Sequence, residues 1–129
     1  MGVSLAELEK ALSLLDQALS ELKVHATKPE SSQYQLIRDA SIQRFEYCVE
    51  LSWKVSAKTM GTKTTAPKQV VREMAQNQLI EDPTLWFDFL EGRNKSSHAY
   101  DENLAKEVTL IAVQFLPAAQ DLLSKLKSK

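Results

Sequence analysis

Residues Glu91 to Glu102, EGRNKSSHAYDE, set Arg93, His98 and Tyr100 close together in a chain otherwise patterned for helix. Arginine presents a planar fork of donors to phosphate oxygens and stays charged at physiological pH. A neutral imidazole takes and returns a proton near neutral pH. Arg93 and His98 therefore suit RNA cleavage without a metal. His98 assists proton transfer at the 2′-hydroxyl or the leaving group, and Arg93 stabilises the charged transition state at phosphorus. The same residues also fit a structural role, in which His98 and Tyr100 cap or plug the end of a bundle and Arg93 pairs with Asp101 or Glu102.

Serving one site requires the chain to bend. In an unbroken helix Arg93 and His98 point about 140° apart. Asn94, Ser96 and Ser97 hydrogen-bond back to nearby backbone and are poor helix-interior residues, so a helix is expected to end here. A turn at that point lets Arg93, His98 and Tyr100 converge.

Other chemistry is scarce. The chain has no Gly-rich phosphate loop, no His-Glu-x-x-His pair and no serine nucleophile on an elbow. Two His are too few for a His-rich metal centre, and neither a metal nor another cofactor is expected. The single Cys48 excludes an internal disulfide and a cysteine-based zinc site, and it fits a reducing compartment. Glu46 and Glu50 stand one turn apart and read as an exposed or salt-bridged stripe rather than a cation site. His25 reads as a cation placed favourably at a helix C-terminus.

The elements that must position this stretch follow from composition and periodicity. At 129 residues the length fits one domain over 1–129, with a hydrophobic share of 43% and a charged share of 26%. Three Gly and four Pro are too few turn signals for an all-β fold. Glu7 and Glu9 interrupt what would be a signal peptide, and no apolar run reaches membrane-spanning length, so a cytoplasmic protein without membrane contact is expected. Net charge is -1, which gives no global pull toward nucleic acid. Yet Lys54, Lys58, Lys63, Lys68 and Arg72 follow one another with no acid between them. They form either solvated helix ends or a basic rim able to hold RNA phosphates.

Leu5, Leu8, Leu12, Leu15, Leu19, Leu22 and Ala26 recur at helical spacing, with Ser4 and Glu7 forming a capping box and Pro29 ending the run. A second helix is expected from Gln35 to Met60, stopped by Gly61. It is apolar on two sides: Ile42, Phe45, Val49, Trp53 and Met60 on one, Ala40, Tyr47, Leu51 and Val55 on the other. One side is expected to face the bundle core and the other a neighbouring helix or a second copy of the protein, with a dimer contact somewhere on this helix favoured. A short third helix follows Thr65 as its cap, a fourth opens at Asp82-Pro83, and a long fifth is capped by Asp101 and carries Pro117, which should kink it or loosen a turn. The sum is an all-α, up-and-down antiparallel helical bundle of about five helices, one of them short.

The stretch RNKSSHAYDE resembles the Arg-x4-His-x-Tyr signature of HEPN domains, in particular the nucleotidyltransferase substrate-binding proteins encoded beside a minimal nucleotidyltransferase. IQRFEYCVELSWK (Ile42 to Lys54) and APKQVVREMAQNQLIEDPTLWFDFL (Ala66 to Leu90) resemble the same family, so the likeness runs over helices two to five. It implies a HEPN-like bundle, generally a homodimer, that assembles with its nucleotidyltransferase. In the toxin–antitoxin view it implies a metal-independent endoribonuclease with Arg93 and His98 as the catalytic pair and Asn94 as the polar residue beside them. Tyr100 is then the hydroxyl that the partner modifies with AMP. The older view implies a subunit without chemistry that presents a substrate to the nucleotidyltransferase. Gly92 departs from the pattern, where a bulkier helix-former is natural, and is expected to loosen the site.

Overall fold

A computed structural model describes residues 3–129; the first two residues of the domain expected over 1–129 lie outside the described part. Five α-helices and one short 3-10 turn account for nearly all of it. They are α1 (Leu5–Val24), α2 (Ser32–Met60), α3 (Pro67–Gln76), α4 (Pro83–Lys95), the turn Ser96–His98, and α5 (Glu102–Lys127). The all-α up-and-down bundle is as the sequence implies.

Helix boundaries follow local chemistry. Ser4 caps α1 by accepting from the Glu7 amide at 3.1 Å, and its hydroxyl lies 3.3 Å from the Glu7 carboxylate. His25 is the C-terminal cap, so Ala26 falls beyond the helix and is exposed. Helix α2 begins three residues before Gln35, because Ser31 accepts from the Tyr34 amide at 3.1 Å and supplies an earlier cap. It ends at Gly61, whose φ of 72° is left-handed backbone that suits glycine. Pro67 occupies the first position of α3, which places the cap on Ala66 rather than on Thr65 and leaves no side-chain cap bond. Asp82 caps α4 through the Thr84 and Leu85 amides, and Asp101 caps α5 through those of Asn103 and Leu104. Helix α5 continues through Pro117.

Helix α1 packs on α2 and α5, α4 on α5, and α3 against α2 and α4. At the centre Phe45, Trp86, Phe89 and Phe115 meet edge to face, with ring centroids 5.1 to 5.7 Å apart. Each such ring contributes about 1.5–3 kcal/mol by burial, and this cluster fastens α4 to α2 and α5. Gly92 sits on the same face of α4. A Cβ there would lie 2.9 Å from Ile111 Cγ2 and 3.1 Å from Ile111 Cδ1. Gly92 therefore lets α4 approach α5 closely, where a bulkier helix-former would meet Ile111.

The second apolar side of α2 is largely used within the chain. Leu51 and Val55 are buried in the core, while Tyr47 is 53% exposed and Ala40 half-buried. Leu51 is therefore no surface for a dimer contact: α2 lies between α1 on one side and α4 and α5 on the other, and Leu51 and Val55 are taken up in the core. Two further ties join α2 to the chain before and within α1. Arg44 Nη1 donates to the Leu14 carbonyl at 2.7 Å, and Lys58 Nζ to the Val3 carbonyl at 3.0 Å.

Candidate functional site

The junction between α4 and α5 carries the motif. Helix α4 does not bend sharply after Arg93. Lys95, Ser96 and Ala99 keep right-handed helical backbone, and the chain tightens into the 3-10 turn before the Asp101 cap. The Ala99 amide donates to the Ser96 carbonyl and the Asp101 amide to the His98 carbonyl, so two successive turns follow the helix end expected here. Ser96 Oγ donates to Glu46 Oε2 at 2.7 Å and Ser97 Oγ to the Asn94 carbonyl at 2.9 Å.

Within one chain the three motif residues form two groups. Arg93 turns toward α2: its Nε donates to Glu50 Oε1 at 2.7 Å, and Nη1 lies 3.5 Å from Glu46 Oε2. Glu50 is held on its other oxygen by the Trp53 indole N–H at 3.0 Å. The Glu46 and Glu50 stripe is thus salt-bridged by Arg93. The alternative pairing of Arg93 with Asp101 or Glu102 does not form, because Glu102 belongs to Arg38. His98 and Tyr100 keep each other company, with ring centroids 6.1 Å apart and planes at 77°. Tyr100 is 80% exposed and His98 is exposed, so neither plugs the bundle.

Two grooves flank the junction, one on each side of the Glu46–Arg93 pair. The first, of about 340 Å³, is bordered by Glu50, Trp53, Lys68, Arg93 and Asn94. The second, of about 630 Å³, runs along α2 past Asp39, Gln43 and Glu46 to Ser97 and Tyr100. Of the basic stretch, Lys68 borders the first groove, and Lys54 lies 4.0 Å from Glu50 and stacks beside Trp53. Lys58 is tied to the Val3 carbonyl, Arg72 lies over the Phe87 ring at 5.5 Å, and Lys63 is exposed. The structure therefore brings Lys54 and Lys68 toward Arg93, gives Lys58 and Arg72 other neighbours and leaves Lys63 exposed.

Sequence reasoning missed Arg38. It is buried on α2, yet its guanidinium reaches Glu102 in the first turn of α5 at 2.9 Å and Asp39 at 3.3 Å. Hydrogen bonding and charge from Arg38 hold the Glu102 carboxyl below its ordinary value, and the Glu102 bond raises Arg38 against its own desolvation. This clasp fixes the start of α5 immediately after Tyr100. The available signal was an arginine at a core position of α2, which demands an acid on a neighbouring element. Burial pushes the Cys48 thiol up to about 12, which disqualifies it as a nucleophile.

The chain is thus an all-helical bundle with an Arg-x4-His-x-Tyr junction between its last two helices. The chain belongs to the family described as nucleotidyltransferase substrate binding protein like, whose model matches residues 3–128. It is 28% identical over 138 aligned residues to a Haemophilus influenzae protein named probable ribonuclease HepT, covering 98% of this chain and 94% of that one. A solved Haemophilus influenzae structure, described as revealing the fold of a substrate binding domain of a nucleotidyltransferase, superposes with a TM-score of 0.85. It is 25% identical and covers 96% of this chain and 99% of its own. A crystal structure from Thermus thermophilus superposes with a TM-score of 0.68 at 29% identity, over 87% of this chain and 98% of its own. Among the described residues no helix is long and apolar enough to cross a membrane.

Proposed function

We propose that this chain is the toxin-like partner of a minimal nucleotidyltransferase. It is a cytoplasmic, metal-independent endoribonuclease that acts as a homodimer and is silenced when its partner adds AMP to Tyr100. The observation that carries the reading is the intact motif on an open junction, with His98 exposed and Tyr100 80% exposed. A transferase reaches such a hydroxyl without unfolding anything. The ribonuclease name of the Haemophilus influenzae relative supports the same reading. Arg93 stabilises charge at phosphorus, His98 moves the proton, Asn94 supports Arg93, and Lys54 and Lys68 meet the RNA backbone. In one chain Arg93 faces Glu46 and Glu50 while His98 faces Tyr100, so a dimer that pairs the two junctions supplies the missing proximity.

The second reading is a binding subunit without chemistry that presents substrate to the nucleotidyltransferase. It is favoured by the two carboxylates that already occupy Arg93. One experiment separates them: unmodified protein is incubated with RNA in EDTA beside Arg93→Ala and His98→Ala variants. Cleavage by the wild type that both variants lose supports the nuclease; no cleavage by the wild type leaves the binding subunit. Mass spectrometry after co-expression with the partner reads the silencing step, as one added AMP that Tyr100→Phe abolishes.

A further inference from the structure

The larger groove beside the junction does not suit a phosphate. Its walls carry Asp39 and Glu46, and no Lys or Arg side chain borders it. Each of these carboxylates has one oxygen committed and one free. Arg38 binds Asp39 at Oδ1, and Ser96 and Arg93 bind Glu46 at Oε2. Asp39 Oδ2 and Glu46 Oε1 have no partner among the described residues. Gln43, on the same face of α2 and exposed, offers an amide that both donates and accepts. Tyr100 closes the groove at the junction end with its ring largely in solvent.

We infer that this groove is a nucleobase subsite, selective for bases with an exocyclic amine such as adenine and cytosine. The amine donates to a free carboxylate oxygen of Asp39 or Glu46, Gln43 reads an adjacent ring position, and the base stacks on Tyr100. A volume of about 630 Å³ accommodates a nucleoside. Glu46 is shared by this groove and by the Arg93 contact, so a base held here lies next to the Glu46–Arg93 pair. The inference rests on the ribonuclease reading only in naming RNA as the source of the base.

The test is an NMR titration of the full chain with adenosine, cytidine, uridine and inorganic phosphate, each alone. Adenosine and cytidine are expected to shift the amides of Gln43, Ser97 and Tyr100. Uridine, which lacks the amine, should shift them less, and phosphate should leave them in place. Tyr100→Ala should raise the apparent Kd for adenosine roughly fivefold or more, and Gln43→Leu should raise it as well. The inference is overturned if neither amine-bearing nucleoside moves those amides, if uridine moves them as strongly, or if phosphate does. Protein that binds nucleosides but leaves RNA intact keeps the subsite and loses the nuclease. Protein that cleaves RNA but ignores nucleosides does the reverse.

Discussion

The guanidinium of Arg93 donates Nε to Glu50 at 2.7 Å, so the motif's arginine is held by the chain's own carboxylate. Both side chains are about one-third exposed, which leaves the pair screened and open to competition. A phosphate must displace or share this contact. Glu50→Gln keeps the shape and removes the charge. It is expected to tighten binding of a non-cleavable single-stranded RNA by roughly fivefold at low salt, read by fluorescence anisotropy. Unchanged affinity would place Arg93 outside the RNA path.

The Arg38–Glu102 clasp predicts a pH dependence with a definite sign. The folded-state pKa of Glu102 is lowered by Arg38. Its contribution is therefore present above the unfolded carboxyl value, about 4.3, and is lost as pH falls through the lower folded value. In thermal melts the difference between wild type and Glu102→Gln should be constant near neutrality and shrink below roughly pH 4. A difference that grows on acidification contradicts the clasp.

Leu51 is 3% exposed in the core, so its substitution reports folding rather than association. Leu51→Ala should cost about 2–5 kcal/mol in denaturant unfolding, and Leu51→Glu should not accumulate as folded protein. A folded Leu51→Glu chain that is merely monomeric would restore the dimer face to this position.

At Gly92 α4 packs directly against Ile111 of α5. Gly92→Ala gains about 1 kcal/mol in helix propensity and meets Ile111, where overpacking costs about 1–3 kcal/mol. The net effect should be neutral to destabilising in the native background and stabilising in an Ile111→Ala background. A double-mutant cycle checks this, and additive effects would remove Ile111 as the obstacle.

Much of the fold was legible because its causes are local. Asp82, Asp101, Ser4 and Gly61 act within a turn of their own position, and the periodicity of Leu8, Leu12, Leu15 and Leu22 reports a buried stripe directly. The partners of Arg93 and Arg38 were not legible. Glu50 lies 43 residues from Arg93, and Glu102 lies 64 from Arg38; only the packing of α4 and α5 on α2 brings them together. The two-sided apolar pattern of α2 was read correctly as two contacts, but sequence does not say that α1 is the second partner. The packing role of Gly92 was hidden for a related reason, since close approach belongs to Ile111 on another helix.

Two of the ties that α2 makes toward the start of the chain end on main-chain oxygens, the Leu14 and Val3 carbonyls. A carbonyl is supplied by every residue type, so no replacement at those two positions deletes the acceptor. Responsibility for these attachments falls on Arg44 and Lys58 alone. The outward surface of α1 is thus free to drift in sequence, or to be redesigned, while its register against α2 persists.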